Sequence, residues 1–143
     1  MPAIFELRHT VRPEEIDAVG HANNLAYLHW LLDAAVGHST AQGWPPDRYL
    51  QLGSGWVARS HYIEYLRPAF VDEEIVVLTW VAGFRKITSV RKYKIVRPAD
   101  DSVLVVAETN WAYVAFDRHA PCRIPPEVLQ AFELVPPALE SSL

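Results

Sequence analysis

Hydrophobic and polar side chains alternate near the beginning of the chain, over residues 3–12. This period of two predicts a half-buried β-strand. Over residues 24–42 the pattern changes, and leucine and alanine recur every three or four positions. That spacing predicts one long helix with a wide apolar face, capped by Asn23 or Asn24 and ended by Gly43. A face this wide indicates that a sheet wraps the helix on more than one side.

The second half of the chain is mostly strand. Turn-forming residues divide it into four predicted strands, at 55–66, 74–83, 86–97 and 103–116. Because the connections are short, consecutive strands should pair in an antiparallel sense.

Proline pairs mark the segments on either side of these strands. Pro45-Pro46 predicts a loop after the long helix, and Pro125-Pro126 begins a short helix that extends to about residue 134. A sheet curved around one long helix is an α+β fold. We assign residues 1–135 to a single domain and expect residues 136–143 to form a flexible tail.

Composition and charge exclude several classes of protein. Half of the 143 residues are hydrophobic and 21% are charged, as in an ordinary folded domain. The net charge of −4 argues against general binding of nucleic acid. No apolar stretch approaches the ~20 residues that span a bilayer, and the single cysteine, Cys122, cannot form a disulfide within the chain. We therefore expect a cytoplasmic protein that binds neither nucleic acid nor membranes.

The motifs of several catalytic classes are missing from the sequence. It has no glycine-rich phosphate loop, no Gly-x-Ser-x-Gly motif and no His-Glu-x-x-His motif. The histidines are scattered, and we expect no metal site. Cys122 stands alone, and a lone cysteine is more often structural than nucleophilic.

One polar segment, residues 14–24, places carboxylates just before the long helix. The first N–H groups of a helix carry partial positive charge, which suits an oxyanion. Gly20 would let the backbone approach a ligand closely, whereas we interpret Glu14 and Glu15 as solvated loop residues. Taken alone, these residues favour a plain turn with an asparagine cap.

A series of motifs in order along the chain favours a catalytic role for this segment over a plain turn. The segment DAVGHANNLAYLHWLLDAA, which begins at Asp17, resembles the front motif of the 4-hydroxybenzoyl-CoA thioesterase-like family. These proteins are acyl-CoA thioesterases of the hot-dog fold. The resemblance continues through YLRPA at 65–69, TNWAY at 109–113 and RIP at 123–125, with the right spacings.

The resemblance implies an architecture and a substrate. The hot-dog fold wraps a five-stranded antiparallel sheet around one long central helix. Two chains would form a homodimer with the active site at their interface, and two dimers would often pair into a tetramer. The substrate would be an acyl-CoA or an acyl group on a carrier protein. Since CoA is part of the substrate, we expect no separate cofactor.

The resemblance also suggests roles for individual residues. Asp17 matches the catalytic carboxylate that precedes the glycine, and the backbone N–H at Asn24 would polarise the thioester carbonyl. Asp17 would act either as a nucleophile or as a general base, and the sequence leaves both open. The candidates for substrate binding are Gly20, His21, Tyr27, Arg85, Lys86 and Ser89.

Two groups of candidate residues, one basic and one aromatic, allow more than one interpretation. The region of Arg85, Lys86 and Ser89 corresponds in the family to the one that meets the nucleotide and phosphates of CoA, yet basic residues also fit a solvated strand face. Four aromatic residues could line an acyl pocket, although core packing is the commoner role. They are Tyr27, Trp30, Trp56 and Tyr62.

Two further functions stay open at this point. A 3-hydroxyacyl dehydratase or hydratase of the same fold would pair a histidine with an acid, and His21 lies four residues after Asp17. A non-catalytic protein that binds acyl groups would need only the fold. The carboxylate at position 17 favours the thioesterase.

Overall fold

The computed structural model of the chain describes residues 3–141 and 143, and it places one sheet around one long helix. The strands are β1 (Ile4–Thr10), β2 (Ser54–Tyr65), β3 (Glu74–Phe84), β4 (Thr88–Arg97), β5 (Ser102–Ala115) and the short β6 (Ala120–Pro121). The helices are α1 (Asn24–Ala41), α2 (Pro46–Leu52), α3 (Pro126–Gln130) and α4 (Pro137–Glu140). A 3-10 turn, Pro13–Glu15, follows β1.

All the strand pairings are antiparallel, in the order β1-β3-β4-β5-β2 with β6 beside β5. Consecutive strands pair from β3 to β5, as the short connections predict. β2 and β3 do not pair, because the chain between them turns away along β5, where the N–H groups of Leu66 and Arg67 donate to the Leu104 carbonyl. This leaves β2 at one edge of the sheet.

Helix α1 confirms the strongest prediction from the sequence. The side chain of Asn23 caps it by accepting a hydrogen bond from the Ala26 N–H at 2.8 Å. The buried positions follow two i, i+4 rows. They are Ala26, Trp30, Ala34 and His38 in one row and Tyr27, Leu31 and Ala35 in the other. Leu25 lies outside both rows and is 70% exposed.

The segment after α1 differs from the prediction. Pro46 begins the seven-residue helix α2 where we expected a loop, because proline is favourable at the first position of a helix. Tyr49 is buried and anchors α2 to the sheet, and Gly53 ends the helix with a φ of +83°. Helix α3 ends at Gln130, four residues before the predicted end.

The core consists of two clusters. The larger one fills the space between α1 and the sheet, around Trp30, Tyr93 and Leu104. The smaller one lies beneath α2 and α3, around Trp44, Tyr113 and Val128. No helix in the described part of the chain is long and apolar enough to cross a membrane.

The described part of the C-terminal segment 136–143 contacts β4 through Glu140. Its described residues include α4, and Glu140 forms an ion pair with Lys92 at 2.9 Å. The flexibility that we expect of this tail stays a prediction.

Candidate active site

Asp17 lies in a tight loop just before α1. Ile16 and Ala22 form an isolated antiparallel bridge, and the Asp17 N–H donates to the His21 carbonyl at 2.8 Å. Asp17 Oδ1 accepts hydrogen bonds from the backbone N–H groups of Val19, at 3.0 Å, and His21, at 3.3 Å. The carboxylate is exposed, so solvent or a substrate reaches its other oxygen.

Gly20 makes this loop possible. Its φ is +87°, a conformation that L side chains rarely adopt. A Cβ built at this position would meet no heavy atom within 4 Å. The glycine is therefore required by the backbone conformation, and the surface above it is open.

Glu15 is buried, and this corrects the expectation from the sequence that it is solvated. Its side chain is only 10% exposed and accepts hydrogen bonds from the Arg12 N–H and the Trp30 indole N–H, both at 2.8 Å. His9 Nε2 lies 2.8 Å from Glu15 Oε1, the same oxygen that accepts from the Arg12 N–H. Burial alone would raise the pKa of Glu15, but these hydrogen bonds outweigh it and lower the pKa from 4.5 to about 2.

Glu15 also fixes the start of the helix. Its carbonyl accepts hydrogen bonds from the backbone N–H of Asn23, at 2.8 Å, and from the side-chain amide of Asn23, at 3.0 Å. The Asn23 Oδ1 then reaches Ala26. Among the hydrogen bonds of the described residues, none uses the N–H groups of Asn24 or Leu25. Two helical N–H groups near the Asp17 loop therefore have no acceptor among the described residues.

His21 and Tyr27 have different positions in this region. The His21 ring is exposed and packs edge-to-face on Phe70, with 5.4 Å between the ring centroids. It shares no side-chain hydrogen bond with Asp17 among those of the described residues. Tyr27 is buried, its hydroxyl accepts a hydrogen bond from the Ala69 N–H at 2.9 Å, and burial raises the pKa of this phenol.

A largely aromatic cavity lies near the other end of α1. Its volume is about 310 Å³, and residues of α1, α2 and β2 to β5 line it. Its aromatic walls include Trp44, Trp56, Phe84, Trp111, Phe116 and Phe132. Of the four aromatic residues considered from the sequence, Trp56 lines this cavity, Tyr27 and Trp30 lie in the core, and Tyr62 is 61% exposed.

A polar groove follows the end of the β3–β4 hairpin on the sheet. Its volume is about 550 Å³, and Arg59 and Arg85 are its charged residues. Ser89 lines both the groove and the cavity, and its hydroxyl donates to the Gly83 carbonyl at 3.1 Å. Lys86 is exposed in the neighbouring turn.

A single chain keeps the Asp17 loop apart from the cavity and the groove. The loop lies near the C-terminal end of β2, since Tyr27 packs edge-to-face on Tyr65, with 5.2 Å between the ring centroids, and its hydroxyl accepts a hydrogen bond from the Ala69 N–H. The cavity lies near Gly55 and Trp56, at the beginning of the same strand. At about 3.3 Å per residue, these ends are roughly 30 Å apart along β2.

Sequence reasoning missed the cavity, helix α2 and the buried role of Glu15. Spacing along the chain gives no signal for the cavity, because its walls come from six separate elements. Among the described residues, no group of three or more histidine, cysteine, aspartate or glutamate side chains is placed to hold a metal.

The chain is similar to a known protein family and to several solved structures. A family model described as the thioesterase-like superfamily matches residues 11–132. A 1,4-dihydroxy-2-naphthoyl-CoA thioesterase from Synechocystis is 15% identical over 90% of this chain and 94% of its own, with a TM-score of 0.83. A DHNA-CoA thioesterase from Staphylococcus aureus is 21% identical over 90% of this chain and 87% of its own, with a TM-score of 0.83.

A third structure is similar over a comparable length. A 4-hydroxybenzoyl CoA thioesterase mutant complexed with 4-hydroxybenzoyl CoA is 16% identical over 92% of this chain and 100% of its own, with a TM-score of 0.85. No curated protein matches the chain by sequence. The structural similarity confirms the predicted hot-dog fold, and the family model confirms the predicted resemblance.

Proposed function

The chain belongs to the thioesterase-like superfamily of thioester hydrolases, and we propose that it hydrolyses acyl-CoA with Asp17 as the catalytic carboxylate. The observation that carries this proposal is the juxtaposition at the start of α1. One short segment holds an exposed carboxylate and two helical N–H groups that have no acceptor in the described part of the chain. Thioester hydrolysis requires both an activated nucleophile and a stabilised oxyanion.

Asp17 would provide the nucleophilic function. Its Oδ1 is held by the loop, which orients the carboxylate and leaves the second oxygen for chemistry. That oxygen would either attack the thioester carbonyl, releasing CoA and forming an anhydride that water then hydrolyses, or take a proton from a water that attacks the carbonyl. Both routes yield the free acid and CoA.

The helix N-terminus would stabilise the oxyanion. The N–H groups of Asn24 and Leu25 stand at the positive end of an 18-residue helix. A well-placed donor of this kind contributes about 3 kcal/mol to the stability of the transition state. Asn23 caps the helix through Ala26 and so leaves these two donors for a ligand.

We extend the proposal to a homodimer that joins β2 to β2 of a second chain. β2 is an edge strand whose exposed side chains include Val57 and Tyr62. An unpaired edge that carries apolar side chains is a surface that proteins normally cover. Antiparallel pairing would lay the Tyr65 end of one strand beside the Gly55 end of the other, and two such dimers would form the expected tetramer.

This pairing would complete the site. Asp17 of one chain would lie near the cavity of its partner, although roughly 30 Å of strand separates them within one chain. The acyl group would then enter the partner's cavity. The groove with Arg59 and Arg85 suits the phosphates of CoA, and Gly20 and His21 would border the thioester.

A panel of thioesters tests the proposal on the wild-type protein. Short, long and aromatic acyl-CoA esters would each be incubated with the protein, and release of the CoA thiol would be measured. We expect turnover of at least one ester, with a lower KM than for the matching N-acetylcysteamine thioester, which lacks the nucleotide. Hydration of crotonyl-CoA without thiol release, or tight binding with no turnover of any ester, would contradict the proposal.

A further inference from the structure

One buried cation in the aromatic cavity has no anion paired with it among the residues that the structure describes. Arg91 lies on β4, is 6% exposed and lines the cavity wall. Burial lowers its pKa, but only to about 10, so the guanidinium stays charged at neutral pH. Among the described residues, no carboxylate forms an ion pair with Arg91.

Two neutral acceptors engage one nitrogen of Arg91. Its Nη1 donates to Thr79 Oγ1 and to His38 Nδ1, both at 3.0 Å. Thr79 in turn donates to the Lys92 carbonyl at 3.0 Å. Since an arginine only donates, His38 Nδ1 must be unprotonated in this pair. Both protons of Nη1 are therefore used, and they fix the orientation of the guanidinium plane.

The other two nitrogens keep three N–H donors. No hydrogen bond of the described residues uses Nε or Nη2 of Arg91. The ring of Phe132 lies 6.0 Å from the guanidinium carbon and supplies only a weak cation–π contact. A buried charge without a counter-charge costs several kcal/mol, so this site favours an anion.

The remaining hydroxyl groups of the cavity wall are already satisfied. Ser39 donates to the Trp44 carbonyl at 2.7 Å, so in its 3.3 Å contact with Tyr49 the tyrosine is the donor. The Tyr49 hydroxyl also accepts from the Trp56 indole at 3.2 Å. The Ser89 hydroxyl donates to a backbone carbonyl. Arg91 is thus the charged group of the lining and retains unused donors.

We propose that this cavity binds an acyl group whose far end carries a carboxylate, and that Nε and Nη2 of Arg91 bind that carboxylate. Arginine binds a carboxylate through two parallel N–H groups, which gives both affinity and geometry. The aromatic walls would cover the carbon skeleton between the two ends. This inference rests on the proposed function, because the acyl group would enter as a thioester.

The size of the cavity limits the acyl group. A volume of about 310 Å³ holds about ten heavy atoms at the ~30 Å³ that a water molecule occupies in the liquid. A short dicarboxylic acyl group, aliphatic or containing one aromatic ring, fits this limit.

A binding experiment without any thioester tests the carboxylate site directly. Phenylacetate and its uncharged isostere phenylacetamide would be titrated into the wild-type protein by calorimetry. Fluorescence of the tryptophans in the cavity wall would report where they bind. We expect phenylacetate to bind at least about tenfold more tightly, a difference of about 1.4 kcal/mol. Equal affinities in the wild-type protein would overturn the inference without any need for a variant.

Two variants show which cation is responsible. Arg91→Met removes the guanidinium and keeps an apolar side chain of similar length, and it should bind both compounds equally. Arg48→Met is the matched control, because Arg48 is an exposed cation that stacks on the cavity residue Trp44 at 3.8 Å. It should keep the wild-type preference. If Arg91→Met kept the preference, or Arg48→Met lost it, the assignment to Arg91 would be wrong.

A kinetic comparison separates this inference from the proposed function. Glutaryl-CoA should show a higher kcat/KM than pentanoyl-CoA, which lacks the terminal carboxylate, and Arg91→Met should reverse that order. Hydrolysis of pentanoyl-CoA alone would support the thioesterase and refute the carboxylate site. Tight binding of phenylacetate without hydrolysis of these two esters or of any ester in the acyl-CoA panel would support the site and refute the thioesterase.

Discussion

Glu15 is the residue that organises the Asp17 loop. Its carboxylate joins His9 of β1, the backbone of Arg12 and the indole of Trp30, while its carbonyl holds Asn23. One side chain therefore connects strand, loop and helix. Its removal should misplace the carboxylate of Asp17 even though the two side chains share no hydrogen bond among the described residues.

The low pKa of Glu15 predicts a pH-dependent stability. Because its pKa in the folded protein is about 2 against an ordinary value of 4.5, its contribution is complete above pH 4.5 and disappears as the pH falls toward 2. We expect Glu15→Gln to lower the free energy of unfolding by up to about 3 kcal/mol at pH 7. Urea denaturation of both proteins from pH 7 to pH 3 should show the difference shrinking below pH 4.5.

The control for this experiment is Glu14→Gln. Glu14 is the neighbouring carboxylate, and its side chain is 68% exposed. This variant should differ little from the wild-type protein at any pH. A difference between Glu15→Gln and wild type that stayed constant down to pH 3 would show that Glu15 acts through shape and not through charge.

At the scale of elements, α1 supplies the proposed oxyanion donors through its first turn. Proline is favourable at the first helical position, and Asn23 already has the extended backbone, φ −75° and ψ 159°, that precedes a proline. Asn24→Pro should therefore fold and lack one N–H. We expect its kcat to fall about 10²–10³-fold with little change in melting temperature.

A second variant separates the side chain of Asn24 from its backbone. Asn24→Ala removes only the side chain and keeps the N–H, so the difference in kcat between the two variants measures the contribution of the N–H itself. If both variants lost activity equally, the side chain would be the important group and the backbone would not be the oxyanion donor.

The elements also show how far the sequence could predict this molecule. The long helix and β1 follow from periodicity, and turn-forming residues delimit the other main strands, of which β3 is buried on both faces. Helix α2 was missed because a proline pair suits both a loop and a helix start. The burial of Arg91 was not predictable in this way, since its acceptors lie 12 and 53 positions away in the sequence. Asp17 was recognised because its motif is local.

At the scale of the whole molecule, the proposal requires two chains for one site. Asp17→Asn would remove the carboxylate from one side of the interface, and Val36→Trp would block the cavity on the other. Val36 suits this purpose because it lines the cavity and is 49% exposed, so a larger side chain would cover the mouth without entering the core.

Mixed dimers of these two variants should recover activity. In a heterodimer, one site would carry both changes and the other neither, because each site combines residues from both chains. Random equal mixing should restore about a quarter of the wild-type rate, although each variant alone is nearly inactive. If the complete site lay within one chain, every site in the mixture would carry one change and no activity would return.

The central claim is that Asp17 performs the chemistry, and Asp17→Asn tests it most directly. Asparagine keeps an Oδ1 that accepts the loop hydrogen bonds of Val19 and His21, so the loop should hold its shape while the carboxylate is lost. With the best acyl-CoA from the panel, we expect kcat to fall about 10²–10⁴-fold at an unchanged melting temperature, whereas Glu14→Gln should keep it. A turnover of Asp17→Asn close to that of the wild-type protein would contradict the account.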